Sequence, residues 1–380
     1  MPRTIRLRRW QKRALDHLAE RRAEGGSDVL CVATPGAGKT TFALTAAARS
    51  LSATPGQRLV VVAPTSHLKL QWAEAAERLG LVLEPAWPSS SPFPTDAHGV
   101  VVTYQQVAAD PAPLRSRTGG AFVVLDELHH AGDERSWGDA VRTAFEPAAF
   151  RLALSGTPFR SDTRSIPFVR YRLDEAEPDF EYGYADALRD GRVVRPVYFP
   201  RIGGFMEWVA PDGAELSASF DDALDRTRSS QRLRTALSLE GEWLPAVLGQ
   251  AHQQLLALRR EQPDAAGLII AADQDHARGI ADLLDRRFRA RAVVVTSDDP
   301  MASSRIARFA ASDQPWIVAV RMVSEGVDIP RLRIGVYATT TTTELFFRQA
   351  VGRFVRWTGK APREKAYLFI PDDPRLRTYA

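Results

Sequence analysis

The chain has 380 residues, 44% of them hydrophobic, which is long enough for two domains with their own cores and rules out a disordered tail. Its one cysteine, Cys31, excludes an internal disulfide and a cysteine-based zinc cluster, and its apolar surroundings make it a small buried strand residue. No run of about 18 apolar residues occurs, and Met1-Pro2-Arg3 leads into charged sequence rather than a signal peptide's apolar block, so a cytoplasmic protein without a membrane span is expected.

Formal charge is +4, and only five of the 50 basic residues are lysines. The arginine bias reflects codon usage in a GC-rich genome, although guanidinium also suits bidentate phosphate contact. The isoelectric point near 9.3 permits a polyanionic partner without requiring one. Arg3, Arg6, Arg8, Arg9, Lys12 and Arg13 form a basic cluster that by itself reads as a solvated helix face.

In chain order, short valine- and isoleucine-rich runs alternate with helix-length segments, the pattern of a parallel sheet covered on both faces. The first half predicts strands over 29–33, 59–63, 99–103, 122–125 and 151–155; the second predicts them over 267–271, 292–296, 316–320, 334–338 and 366–370. Residues 85–94, with Pro88, Pro92 and three serines, form a surface loop. The charged, aromatic stretch between the two series divides the chain into a first domain (1–160), a connector with an accessory element (161–240) and a second domain (241–380).

The first strand runs into Ala33-Thr34-Pro35-Gly36-Ala37-Gly38-Lys39-Thr40 and then an alanine-rich helix from Thr41. Backbone N–H groups at a helix N-terminus form an anion nest, and glycines let the main chain approach phosphate closely. Lys39 pairs with β and γ phosphates in such a loop, and the Thr40 hydroxyl binds Mg²⁺. The fourth strand ends in Asp126-Glu127-Leu128-His129-His130. A carboxylate at the C-terminal end of a parallel strand lies where ligands bind. There Asp126 holds Mg²⁺ through its water shell and Glu127 deprotonates the attacking water. His129 lacks the companion spacing of a zinc site and suits a hydrogen-bonding coupler better.

These motifs, in this order, resemble superfamily 2 helicases of the DExH type, the group of XPB-like repair helicases and the motor subunits of type I and III restriction enzymes; the likeness spans 7–356. The resemblance implies an α/β fold of two tandem RecA-like domains, each a mainly parallel sheet flanked by helices, with an ATP cleft between them and ATP and Mg²⁺ as cofactors. Leu7-Arg8-Arg9-Trp10-Gln11 resembles the adenine-recognition element, placing Arg8 and Gln11 at the nucleotide with Pro35, Gly36, Ala37, Gly38 and Thr41 of the phosphate loop.

Pro64-Thr65-Ser66, running on to Gln71-Trp72, resembles motif Ia, and Thr103-Tyr104-Gln105 resembles motif Ib. Both face the nucleic-acid backbone in the family, although either tripeptide alone reads as ordinary helix capping. Ser155-Gly156-Thr157-Pro158 resembles motif III, making Ser155 and Thr157 couplers of ATP state to the nucleic-acid track.

Ser324-Glu325-Gly326-Val327-Asp328-Ile329-Pro330 resembles motif V, which adds Gly326 and Asp328 to the ATP contacts, and Gln349-Ala350-Val351-Gly352-Arg353-Phe354-Val355-Arg356 resembles motif VI. A capping-box pattern, Thr341-x-x-Glu344, predicts one helix that carries Gln349, Arg353 and Arg356 on nearly one face, with Phe346, Phe347, Phe354 and Val355 packing the other. Such a face suits an arginine finger, a cation that stabilises charge on the transferred phosphoryl group.

The resemblance implies a DNA helicase or translocase, since the forms of motifs II and III are closer to repair and restriction motors than to the DEAD-box RNA group; an RNA helicase and a non-hydrolysing nucleic-acid clamp are the alternatives. No lysine has Asp or Glu two positions before it, so a Glu-x-Lys nuclease corner is missing and any nuclease would be a separate partner in a repair, restriction or defence complex. The end at Ala380 fits either a minimal motor or a chain that lacks a C-terminal module.

Overall fold

The structure is a computed structural model that describes residues 6–128, 135–156, 166–173, 175–296, 298–299, 301–320, 329–361 and 363–380. The chain divides into two compact units, Met1–Arg189 and Asp190–Ala380.

In the first unit the strands are β1 (Asp28–Ala33), β2 (Leu59–Ala63), β3 (Leu83–Glu84), β4 (Gly99–Thr103), β5 (Phe122–Leu125), β6 (Phe150–Ser155), β7 (Tyr171–Arg172), β8 (Glu175–Ala176) and β9 (Phe180–Tyr182). Seven of them form one sheet in the order β3-β4-β2-β5-β6-β1-β9, and every pairing in it is parallel. β1, β2, β4, β5 and β6 are buried over nearly their whole length, as runs of Val, Leu and Ala must be when helices cover both faces of a sheet. Because all are parallel, the segments that follow them emerge along one edge.

The second unit adds β10 (Val197–Tyr198), β11 (Arg201–Ile202), a hairpin of β12 (Phe205–Val209) and β13 (Glu215–Ser219), then β14 (Ala266–Ala271), β15 (Ala292–Val295), β16 (Trp316–Val320), β17 (Leu332–Ala338) and β18 (Ala366–Pro371). Its sheet runs β10-β18-β17-β14-β16-β15 with β11 also on β18, again with parallel pairings. One core lies on each face: Leu244, Leu248, Ile280 and Trp316 belong to one, and Phe347, Phe354, Leu368 and Ile370 to the other.

All ten predicted strands form, with ends shifted by at most two residues. The stretch 161–240 is shared between the units: β9 joins the first sheet, β10 and β11 the second. Among the described residues no helix is long and apolar enough to cross a membrane.

Gly267 lies opposite Trp316 in the β14–β16 register, and a Cβ there would sit 2.1 Å from the indole. Gly267→Ala is therefore expected to destabilise the protein by about 1–3 kcal/mol through overpacking. Urea unfolding would read this as a lower midpoint at unchanged slope, with Gly203→Ala, where nothing lies within 4 Å, as the neutral comparison.

Candidate nucleotide and phosphate site

The phosphate loop leaves β1 and enters a helix at Lys39–Ala53 through Gly38, whose φ of 95° is open to glycine without strain. Its carbonyls are all held from behind. Arg8 Nη1 donates to Gly36 O (3.1 Å) and Ala37 O (2.7 Å), Trp10 Nε1 to Ala37 O (3.1 Å), and Gln11 Nε2 to Gly38 O (2.9 Å). With these carbonyls turned to the N-terminal segment, while Thr34 N–H and Ala37 N–H donate within the protein, the start of the helix at Lys39 offers a geometry that suits an anion.

Trp10 in turn stacks on Tyr182 of β9, with ring centroids 5.0 Å apart, and Thr34 N–H donates to Tyr182 O at 3.0 Å. The loop is thus gripped by two segments distant in sequence. Gln11 is 3% exposed, and its Oε1 accepts from Arg8 N at 2.8 Å. Each end of its amide therefore already serves the protein once, which leaves one donor and one acceptor position for a base edge.

Strand order explains the reactive pair. β5, β6 and β1 are neighbours, so Glu127 after β5, Gly156 after β6 and Lys39 after β1 converge. Lys39 Nζ lies 2.9 Å from Glu127 Oε1, and Gly156 N–H donates to Glu127 Oε2 at 2.9 Å. A Cβ on Gly156 would stand 3.0 Å from Lys39 Nζ and 3.3 Å from Glu127 Oε1, so glycine here leaves room for the pair. Glu127 has a φ of 46°, left-handed backbone that costs a non-glycine residue about 1–3 kcal/mol and collects at functional sites.

Asp126 faces the other way. Its Oδ2 accepts from Trp72 Nε1 at 2.8 Å, and its carbonyl accepts from the Tyr104 hydroxyl at 2.9 Å. Burial, and secondarily the charge of Glu127, push its carboxyl up to about 6, against the pull of Lys39 and the Trp72 hydrogen bond. A divalent cation would reverse that strain. Asp126, with Thr40 in the first helical turn, offers the hard oxygen donors that Mg²⁺ takes, so the residues fit the ion.

Several expectations change. Tyr104 was expected to face nucleic acid, yet it is fully buried and its hydroxyl supports Asp126, so its side chain cannot make that contact. Trp72 of the motif Ia run is also turned inward, because a buried indole N–H needs an acceptor and Asp126 supplies it. Thr65 and Thr103 cap the helices Ser66–Glu77 and Tyr104–Ala109 by accepting from Leu68 N and Gln106 N, which is the capping reading of these tripeptides. Ser66 and Gln105 are exposed, and Pro64 is half-buried. Ser155 is buried at the end of β6, and Cys31 is buried as expected, its thiol pushed up to about 12 by burial. His129, Thr157, Gly326 and Asp328 lie outside the described residues.

In the second unit the motif VI helix spans Glu344–Gly352, with Arg353 as its C-cap. Gln349 is on the helix, but Arg356 lies beyond it, bridged to Val194, so one helical face does not carry all three residues. The expected capping box is also absent: Thr343 is the N-cap, Glu344 pairs with Arg348, and the Thr341 carbonyl accepts from the Tyr337 hydroxyl. The aromatic packing does form, with Phe347, Phe354 and Val355 buried and Phe346 against the same core.

Residues 4–160 match the family described as type III restriction enzyme, res subunit. Over 378 residues the chain is 49% identical to an uncharacterized protein of Mycobacterium tuberculosis and 47% identical to one of Mycobacterium leprae. It spans 62% of the length of each of these relatives, which align with 97% of the chain. Among solved structures, a fragment described as the HsdR subunit of a type I restriction enzyme from Vibrio vulnificus superposes with a TM-score of 0.66 at 18% identity, covering 98% of this chain and 65% of that one. The type ISP restriction-modification enzyme LlaBIII bound to DNA gives 0.63 at 15% identity, with 97% and 28% covered. Saccharomyces cerevisiae Dbp5, bound to RNA and ADP BeF3, gives 0.60 at 14%, with 98% and 85% covered. The two sheets are accordingly tandem RecA-like domains.

The raised Asp126 carboxyl has a measurable consequence. The folded protein holds this proton up to about pH 6, whereas an ordinary aspartate gives it up near 3.8, so folding stability falls as pH rises between those values. Asp126→Asn escapes the loss while keeping an acceptor for Trp72. Without nucleotide or Mg²⁺ it is expected to melt about 2–6 °C higher than wild type at pH 8, with the difference closing towards pH 4. Thermal melts across that range check it; equal melting at pH 8 would exclude a buried charged Asp126.

Proposed function

We propose that this chain, a superfamily 2 helicase-like protein, hydrolyses ATP at the phosphate loop of its first unit and couples the hydrolysis to movement along nucleic acid. The observation that carries the reading is the Lys39–Glu127 pair beside the phosphate loop. A lysine able to meet a γ phosphate and a carboxylate able to take a proton from water stand in contact, each neutralising the other.

Phosphate entering the anion nest competes for Lys39, because it brings more negative charge than one carboxylate. Glu127 keeps the Gly156 N–H, which helps to orient it as the base for an attacking water. Asp126 and Thr40 would hold Mg²⁺, which when bound neutralises charge on the phosphates. Trp72 and Tyr104 keep Asp126 in place. The family resemblance assigns the finger role to Arg353 and Arg356, with Gln349 beside them, and base recognition to Arg8 and Gln11.

DNA is the proposed track, on the forms of motifs II and III and on the restriction-type family of residues 4–160. Ser66 and Gln105, exposed at the carboxyl edge of the sheet, are the side chains best placed for backbone contact. We place the protein in the cytoplasm, with protein partners in a repair, restriction or defence complex.

ATP hydrolysis should be stimulated by DNA and lost in Lys39→Ala and in Glu127→Gln, the latter still binding ATP. Phosphate release measured with single-stranded DNA, duplex DNA and RNA in parallel decides the track. Stronger stimulation by RNA would overturn DNA as substrate, and wild-type turnover in Glu127→Gln would overturn the base.

A further inference from the structure

Arg195 lies in Val193-Val194-Arg195-Pro196-Val197, an apolar run with no motif, and its side chain is fully buried. A buried guanidinium persists only where its charge and donors are met. Glu364, equally buried, meets the charge with its Oε2 at 3.6 Å from Arg195 Nε. Glu364 is itself fixed by Thr358 Oγ1 (2.7 Å), Thr358 N (3.0 Å) and Lys360 N (2.9 Å).

The donors go to two particular carbonyls. Nε donates to Arg356 O, and Nη2 to Pro330 O at 2.5 Å, while the Arg195 main-chain N–H donates to Val355 O at 2.7 Å. Pro330 closes the motif V segment, and Val355 and Arg356 close motif VI. One planar side chain therefore ties together the ends of both motifs. Two other buried arginines of this unit do different work: Arg331 bonds the carbonyls of Asp264, Gln314 and Phe309, and Arg333 bonds Lys365 O and Gln262, neither touching motif VI.

We infer that Arg195, backed by Glu364, is a positioning residue that sets the end of motif VI, and with it Arg356, at a fixed place relative to Pro330. This rests on the proposed ATPase. The helix stops at Gly352, so helical geometry does not place Arg356. Its main chain is held instead by the Val194 bridge and by Arg195. An error of about 1 Å in a group acting on the transition state costs roughly 100-fold in rate.

Two variants of the full chain separate this role from a purely structural one. Arg195→Lys keeps the charge opposite Glu364 but loses the planar fork that spans two carbonyls. Arg195→Met combined with Glu364→Met removes both charges and leaves no unpaired ion. Each is expected to fold, to bind ATP as wild type does, and to lose roughly 100-fold in DNA-stimulated kcat. Arg331→Lys should keep wild-type kcat. If either folded variant turns over like wild type, or if neither folds, the inference is overturned and Arg195 is structural. An inactive wild-type chain would remove the ATPase reading itself, a result distinct from an active wild type with active variants.

Discussion

The contact between Lys39 and Glu127 beneath Gly156 is the constraint on which the first unit depends. It requires three chain segments, spread over more than a hundred residues of sequence from Lys39 to Gly156, to end within hydrogen-bonding distance. Only neighbouring parallel strands achieve this, because their carboxyl ends emerge on one edge. With β6 between β5 and β1, the residue after β6 must sit over the pair, and a side chain there would crowd it. The strained backbone of Glu127 belongs to the same arrangement.

Around that contact, main-chain carbonyls are controlled by side-chain donors. Arg8, Trp10 and Gln11 take the carbonyls of Gly36, Ala37 and Gly38, which fixes the path of the loop into its helix. In the second unit, Arg195 takes the carbonyls of Pro330 and Arg356. The logic is the same in both: a loop with little regular structure keeps its shape because its acceptors are satisfied from outside it, and the buried Arg195 recovers its desolvation cost through several bonds.

The carboxylates divide the work by environment. Asp126 is buried against Trp72 and Tyr104 and holds its proton unusually well, whereas Glu127 sits beside a cation and a main-chain donor. Two adjacent residues of similar chemistry thus stand in different surroundings, one buried against aromatic donors and the other against a cation and a main-chain N–H. Burial makes the ionised form of Asp126 unfavourable, a cost that a bound cation would offset.

What the sequence determined by itself was everything with a local cause. Apolar runs set ten of the fourteen strands of the two sheets, glycine spacing set the phosphate loop, and strand ends located Asp126 and Glu127. Tertiary structure alone decided where side chains point and what holds them. Tyr104 and Trp72 support Asp126 rather than facing solvent, since a buried hydroxyl and indole must find acceptors. β9 and Tyr182 reach the phosphate loop from a stretch with no motif, because a three-residue edge strand carries no periodic signal. Arg356 leaves the helix that spacing assigned to it, where chain reversal and the bond from Arg195 override helical periodicity. An arginine in an apolar run was the one visible hint of that bond, but its partners lie 135 and 161 residues away, beyond any local rule.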